Sequence, residues 1–420
     1  MGRPIKDELL LGTDLKINQY CACDMDNFGD VLYPILFKHV SHGILGETTT
    51  DAYAFIPGQA AMGGGYEVRS IRELFASDLT RLPLVIGGGD ILRFDDRMLA
   101  FHYTRQMAPT RSGWGQTVQQ GPYRVTYRYG DATPQMDPVE VFVRDKMPPV
   151  RGAFMLSPQN CPGAKSVAYF SAGVPFEFQR EEWPHVREVF NAASFIYLRD
   201  AQSAEKLRRA GVTRDIEVAP DIAVLISDLF PKAALAEIAH DLLSGIGVSV
   251  DQPYLCIQLS EAATPALTSI ASQLQVFAKR HNVPVVLLPL GFCHGDVAIL
   301  SRLSEASPHH FKLAHVKTIR EMLAILSHAE AFAGVSMHGN ICAFSYGVPH
   351  LFGALNVDKI GGAMVSMGVD ENHRIGDWSE LLQGLEGLMQ VDRLDLAKKQ
   401  AIASQRAYLA SDRLLKALIA

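Results

Sequence analysis

The stretch LKINQYCACDMDNFGDVLYPILFKHV, residues 15–40, decides the fold class of this chain. Its first part, 15–23, is rich in apolar residues and predicts a strand that ends in a loop at 24–27. The apolar residues after this loop recur at helical spacing and predict a helix over about 29–40: Val31, Leu32, Ile35, Leu36 and Val40. A strand followed by a loop and an amphipathic helix is the repeating unit of a parallel α/β sheet.

The same unit recurs along the chain. Apolar runs predict further strands at 82–86, 166–170, 195–198 and 216–219, and, after a break at 230–252, at 254–259, 285–288, 331–334 and 350–352. Helical patterns separate these runs. The sequence therefore predicts an α/β protein with two Rossmann-like domains that face a cleft, at 1–235 and 250–395, and a terminal helix at 396–420 that packs back on the first domain.

Residues 97–163 break this rhythm and are interpreted as an insertion with little helix. Within it, 126–129 is predicted to pair with 139–144 in a small hairpin. The insertion follows a strand end, where ligands of such sheets bind. Trp114 and Tyr127 are therefore candidates for stacking on a ligand. The alternative is a dimerisation flap, since aromatic residues are also enriched at subunit interfaces.

The composition excludes several classes of protein. The chain has 420 residues, 48% hydrophobic and 20% charged, with a net charge of -6. This is enough apolar mass for two or three packed domains, and the near-neutral balance excludes a basic nucleic-acid-binding surface. No apolar run approaches the roughly 20 residues of a membrane span, and the N-terminus has no signal-peptide pattern. The six cysteines lack the paired spacing of a zinc site, so we expect free thiols, no bound metal and a cytoplasmic location.

Two turns that follow predicted strands combine glycines with polar residues. In the first, Asn27 and Gly29 form a tight turn in which Asp30 caps the next helix; alternatively, this turn faces an anion at the helix N-terminus. The second is the Gly-Gly-Gly-Asp run at 87–90, whose backbone N–H groups can approach a ligand. Its alternative interpretation is a flexible strand exit.

Two further segments place a charged or titratable side chain at a strand end. Asp200 is expected to cap a helix, and Arg199 before it faces the cleft, where it binds a carboxylate or phosphate or forms an interdomain salt bridge. Ser336 is expected to cap a helix whose first turn holds His338. The positive end of that helix disfavours the imidazolium and a bound anion favours it, which suits a proton donor. A core or capping histidine is the alternative.

Taken together, these segments resemble the polysaccharide pyruvyl transferases. The matching motifs are NFGD (27–30), IGGGD (86–90), LRDAQSAEKLRRAG (198–211), APDIAV (219–224) and VSMHGNICAFSYGVPHLFG (335–353), followed by Lys359. Their order and spacing match over about residues 20–370. The chain departs from the family at 97–163 and at Ser336, where some members carry arginine. If that arginine holds the donor in those members, this protein must use another cation.

The resemblance implies a GT-B-like fold. It also implies that phosphoenolpyruvate (PEP) is the donor and that a sugar receives a pyruvate ketal during surface or exopolysaccharide synthesis. It implies His338 as acid, Arg199 as a catalytic cation and Asp30 as a base. The donor-binding residues it implies are Asn27, Gly29, Gly87, Gly88, Gly89, Ser336, Gly339, Asn340 and Lys359. PEP is a co-substrate, so no cofactor is expected. The acceptor is expected to be a glycan that stacks on Trp114 and Tyr127, with peripheral membrane association if it is lipid-linked.

Two other functions remain open at the level of sequence. One is a GT-B glycosyltransferase that uses a nucleotide-sugar, for which Glu261, after the strand at 254–259, is the candidate ribose ligand. The other is a non-catalytic homologue that takes part in glycan assembly. Stabilisation by PEP, but not by UDP or GDP, would select the pyruvyl transferase, because a ligand stabilises only the protein that binds it.

Overall fold

The computed structural model describes residues 15–76, 80–107, 116–120, 123–127, 137–249, 251–353, 359–369 and 373–420. Its strands, in chain order, are β1 (Leu15–Tyr20), β2 (Thr48–Ala54), β3 (Gly58–Gln59), β4 (Glu67–Ser70), β5 (Leu82–Gly87), β6 (Gln116–Gln120), β7 (Tyr123–Tyr127), β8 (Ala164–Ala172), β9 (Phe195–Leu198), β10 (Glu217–Val218), β11 (Leu255–Gln258), β12 (Val285–Leu287), β13 (Phe311–Leu313), β14 (Ala331–Gly334), β15 (His350–Gly353) and β16 (Arg374–Ile375).

The α-helices follow the same alternation with the strands that the sequence predicts. They are α1 (Phe28–Leu45), α2 (Asp96–Met107), α3 (Pro138–Lys146), α4 (Trp183–Asn191), α5 (Ala201–Arg209), α6 (Ile226–Leu229), α7 (Ala236–Gly245), α8 (Leu267–His281), α9 (Asp296–Ala306), α10 (Ile319–His328), α11 (Met337–Ser345), α12 (Lys359–Ser366), α13 (Leu381–Leu388) and α14 (Arg393–Ile419). Among the described helices, none is apolar over a length that could span a membrane.

The first sheet has eight strands in the order β10-β9-β8-β5-β1-β2-β4-β3, and all pairs are parallel except β3 with β4. The central strand β5 has the sequence LPLVIG and is almost fully buried, as expected for a strand covered by helices on both faces. The chain builds the sheet outward from β1 in one direction and from β5 in the other. The carboxyl ends of β1 and β5 therefore form a topological switch point, where ligands bind in such folds.

The second sheet has six parallel strands in the order β13-β12-β11-β14-β15-β16. Its switch point lies between β11 and β14, by the same argument. The predicted fold class, α/β with two Rossmann-like domains facing a cleft, is confirmed.

The long terminal helix α14 returns to the first sheet and packs against β8, β9 and α1. Near the end of α14, the backbone oxygen of Leu418 accepts from the Ser166 hydroxyl at 3.0 Å, and Arg413 pairs with Glu217 at 2.6 Å. The chain thus passes from the first domain to the second, and its terminal helix α14 then packs against the first domain again.

The region between β5 and β8 differs from its prediction. The hairpin predicted between 126–129 and 139–144 is wrong, because β6 pairs with β7 and 138–146 forms helix α3. Asp137 caps α3 by accepting from the backbone N–H of Val139, and Pro138 occupies its first turn. Val139 and Phe142, three residues apart, form its buried side. An alternating apolar pattern over so few residues fits a short helix as well as a strand.

Candidate active site

A cavity of about 380 Å³ lies between the two domains, at the carboxyl ends of strands from both sheets. This volume is at the lower end of the roughly 300–1,000 Å³ typical of small-molecule sites. Both switch points open into it. The first domain contributes Asn27, Asp30, Gly89, Asp90, Arg93 and Arg199 to its wall, and the second contributes Gln258, Ser260, Gly291, His294, Ser336 and His338.

The first predicted turn lies where the two domains meet. The backbone N–H of Phe28 donates to Leu290 at 2.9 Å, and Asn27 forms a backbone bridge with Gly291. Asp30 does not cap α1, contrary to the prediction, because the cap position is Asn27 and Asp30 lies within the first turn. Instead, the side-chain amide of Asn27 donates to Asp30 Oδ2 at 2.7 Å. This bond fixes the Asp30 carboxylate at the cavity wall.

His338 sits in the first turn of α11, and the Ser336 hydroxyl caps this helix by accepting from the N–H of Gly339 at 3.1 Å. Both positions agree with the sequence prediction. The histidine Nε2 lies 2.9 Å from the hydroxyl of Tyr33, which belongs to the other domain. Because Ser336 serves as the cap, the wall carries a hydroxyl there and no cation.

A hydrogen-bonded chain runs from His338 through Tyr33 to Asp221. The Tyr33 hydroxyl donates to Asp221 Oδ2 at 2.8 Å, and Asp221 is fully buried. A carboxylate only accepts, so the Tyr33 oxygen is left to accept the Nε2 hydrogen of His338. Burial raises the pKa of the Tyr33 phenol, and the charge of Asp221 raises it further. Tyr33 therefore stays protonated and holds the imidazole in one orientation.

Gly29 allows this histidine to reach its position. A Cβ atom on Gly29 would lie 1.9 Å from His338 Nδ1, far inside van der Waals contact. Glycine is thus required at position 29, because α1 approaches the imidazole ring too closely to leave room for a side chain. It packs behind the cavity wall rather than lining it.

Gly29→Ala is expected to lower kcat by at least about 10²-fold, because the added methyl displaces a ring that must be placed to within about 1 Å. Steady-state kinetics together with a melting curve would measure this effect. The matched control is Gly43→Ala in the same helix, where the nearest atom, the Tyr408 hydroxyl, is 3.9 Å away. The control should keep full activity and gain up to about 1 kcal/mol in stability. If the Gly29→Ala variant keeps the kcat of the wild type, catalysis does not depend on the position of the His338 ring.

The glycines at 87–89 divide into two roles. A Cβ on Gly87 would lie 2.2 Å from the backbone oxygen of Phe170, and one on Gly88 would lie 2.1 Å from the Tyr33 ring. Gly88 and Gly89 have φ angles of 86° and 77°, which favour glycine. Only Gly89 reaches the cavity wall. The first two glycines therefore position Tyr33 and the sheet.

Arg199 lies at the end of β9 with only 1% of its side chain exposed. It pairs with Asp90, and its guanidinium also lies 3.8 Å from Asp200 and 3.9 Å from Asp221. All three carboxylates belong to the first domain, so the predicted interdomain salt bridge is wrong. Gly173 makes room for the pair, since a Cβ there would lie 2.6 Å from Asp90 and 2.8 Å from Arg199. Arg199 thus joins three strand ends at the cavity wall.

Two other predicted residues have structural contacts. Asp200 caps α5, as predicted, by accepting from the N–H of Ser203 at 2.7 Å. The Asn340 amide donates to the backbone oxygens of Gly334 and Ser336 at 3.0 and 2.9 Å. Asn340 is fully buried and, like Gly339, lies behind the wall. It supports the turn that presents His338.

Sequence comparison identifies the family that is matched by the segment carrying Arg199, Asp221 and His338. Residues 162–353 match the polysaccharide pyruvyl transferase family. The resemblance inferred from the motifs is confirmed over this segment. No curated protein matches the sequence.

Solved structures with the same fold include two UDP-GlcNAc 2-epimerases. The enzyme from Neisseria meningitidis, bound to UDP-GlcNAc, superposes with a TM-score of 0.52 at 10% identity, over 97% of this chain and 100% of that one. The enzyme from Rickettsia bellii gives a TM-score of 0.52 at 13% identity, over 97% and 96%. At such identities the likeness establishes the fold alone, which is GT-B.

Sequence reasoning missed two residues that support the site, Gln258 of the second domain and Tyr33 of the first. Gln258 ends β11 and accepts from the N–H groups of Val335 and Ser336 at 3.0 and 2.8 Å, which joins β11 to the start of α11. A polar residue that closes an apolar strand is the signal that could have identified it. Tyr33 had no such signal, because it lies among the apolar residues of α1.

The side chains of three predicted ligand-binding residues fall outside what the structure describes. Trp114 is not among the described residues, and for Tyr127 and Lys359 only the backbone is described, in β7 and at the start of α12. Their roles stay predictions. Among the residues that the structure describes, no cluster of three His, Cys, Asp or Glu side chains could hold a metal ion.

Proposed function

We propose that this protein transfers the pyruvyl group of PEP to two hydroxyls of a sugar and forms a pyruvate ketal. The observation that carries the proposal is the position of His338. It lies on the wall of the interdomain cavity, within the segment that matches the pyruvyl transferase family, and is held through Tyr33 by Asp221. A histidine fixed in this way suits general acid catalysis at neutral pH.

The reaction needs one proton at carbon. The imidazolium of His338 donates a proton to C3 of PEP, which turns the methylene into a methyl group and makes C2 electrophilic. Asp221, 3.8 Å from Nε2, stabilises the imidazolium before transfer. One sugar hydroxyl then adds to C2 and loses its proton, phosphate leaves with a proton, and the second hydroxyl closes the ketal. The products are a ketal and inorganic phosphate, so the two hydroxyl protons end on the methyl group and the phosphate.

Asp30 is our candidate base for the acceptor hydroxyls. It lines the same cavity as His338 but belongs to the first domain, and the Asn27 amide orients its carboxylate. A carboxylate on one side and an imidazolium on the other match the opposite proton movements of the two substrates. The family match supports a glycan acceptor. We place the reaction in the cytoplasm, in the assembly of a surface or secreted polysaccharide.

Ligand-dependent melting tests the choice of donor. Millimolar PEP is expected to raise the melting temperature, whereas UDP and GDP should leave it unchanged, because binding to the folded state alone adds to its stability. A shift with UDP but not PEP would instead support the nucleotide-sugar enzyme. No shift with either, together with no turnover, would support the non-catalytic homologue.

A further inference from the structure

Arg93 is a cation on the cavity wall that the function described above does not use. It follows β5 and the glycine run, in the turn before α2. Its side chain is half-buried, and Nε is fully enclosed without a hydrogen-bond partner. The guanidinium lies 6.0 Å from the centre of the Phe176 ring. Within the described part of the chain, no carboxylate reaches ion-pair distance of Arg93.

The arginines around it are engaged differently. Arg199, on the same wall, is surrounded by three carboxylates of the first domain. Arg97, one helical turn further on, is exposed and pairs with Asp137 and Glu140, both at 3.1 Å. Arg93 is therefore partly enclosed at the cavity wall, and among the described residues no carboxylate lies close enough to neutralise its charge.

Enclosure of Nε without a hydrogen-bond partner costs free energy, because this donor loses hydration that nothing replaces. Accordingly, burial lowers the pKa of the Arg93 guanidinium, although nearby aspartates oppose this. A cost of this kind is recovered when a ligand brings the missing negative charge. The planar guanidinium offers two parallel N–H donors that match a phosphate or carboxylate.

We propose that Arg93 binds an oxyanion group of the donor substrate, phosphate or carboxylate, in the interdomain cavity. The inference rests on the proposed function in that it takes PEP as this donor. Arg93 comes from the first domain and His338 from the second, so a donor held by Arg93 lies in the cavity that His338 also lines.

The test compares Arg93→Gln and Arg93→Lys with the matched control Arg97→Gln. Dissociation constants for PEP, inorganic phosphate and pyruvate are measured by calorimetry, and melting temperatures are measured without ligand. Arg93→Gln should bind PEP about 10- to 100-fold more weakly, the value of one charge-assisted contact. Its melting temperature should be equal to or above that of the wild type, since no ion pair is lost. Arg93→Lys should recover part of the affinity, and Arg97→Gln should bind like the wild type.

The single-anion probes identify the group that Arg93 holds. Loss of phosphate binding with pyruvate unaffected assigns Arg93 to the phosphate, and the reverse assigns it to the carboxylate. Equal PEP affinity in wild type and Arg93→Gln would overturn the inference while leaving the proposed function intact. If the wild type binds UDP instead of PEP, the proposed function fails, yet loss of UDP binding in Arg93→Gln would still support an oxyanion site. A wild type that binds none of these anions contradicts the inference.

Discussion

Replacement of His338 by alanine is expected to lower turnover by about 10²–10⁴-fold, the usual contribution of a general acid. The variant should still fold, because the imidazole contacts Tyr33 and Gly29 at the domain junction and His338 belongs to helix α11 rather than to a strand of either sheet. The measurement is kcat from PEP-dependent phosphate release in the presence of acceptor. A kcat within about threefold of wild type would remove His338 from the role of acid.

Tyr33→Phe is the control that separates the acid from its support. Phenylalanine keeps the ring against Gly88 but removes the hydroxyl between His338 and Asp221. We expect a smaller loss of kcat than in His338→Ala, together with a displaced pH profile, because the imidazolium loses its link to the carboxylate. An unchanged pH profile would show that the hydroxyl serves packing alone.

Loss of Arg199 should have the largest effect on stability. Arg199→Met leaves Asp90, Asp200 and Asp221 without the buried cation that they share. Removal of one partner from a buried ionic cluster costs about 3–5 kcal/mol. Urea unfolding would measure this loss. The matched control is Arg209→Met, which breaks an exposed pair with Glu177 and should cost at most about 1 kcal/mol.

The outcome also decides whether Arg199 binds the donor, as predicted, or supports the strand ends that its ion pairs join. If Arg199→Met unfolds at the same urea concentration as wild type but loses PEP affinity, then the arginine is a donor ligand rather than a support of the strand ends. Arg199→Lys gives a second route to the answer, since lysine retains the charge and loses the planar fork.

The parts of the fold that depend on local chemistry could be predicted from the sequence. Asp200 and Ser336 cap their helices because each precedes a helical pattern and has a side-chain oxygen that reaches the first-turn N–H groups. The central strand β5 was recognisable as a continuous apolar run bounded by glycines. These signals lie within a few residues of the feature that they predict.

The features that could not be predicted depend on contacts between distant segments. Nothing near Tyr33 shows that its hydroxyl lies between His338 and Asp221, which are 305 and 188 residues away. Gly29 was predicted to lie in a tight turn or in a turn that faces an anion, and its sequence neighbours do not show that a histidine ring packs on it. The charge of Arg93 is visible in the sequence, but its position on the cavity wall follows from the tertiary structure.

The central claim is transfer of pyruvyl from PEP with protonation at C3, and one measurement tests it most directly. The protein is incubated with PEP and a panel of simple and lipid-linked glycosides in deuterated water, and phosphate and product mass are followed together. The proposed mechanism predicts acceptor-dependent phosphate release and a ketal whose methyl group carries deuterium from solvent. Phosphate release without a modified acceptor, or a pyruvylated product with no deuterium in its methyl group, would contradict it.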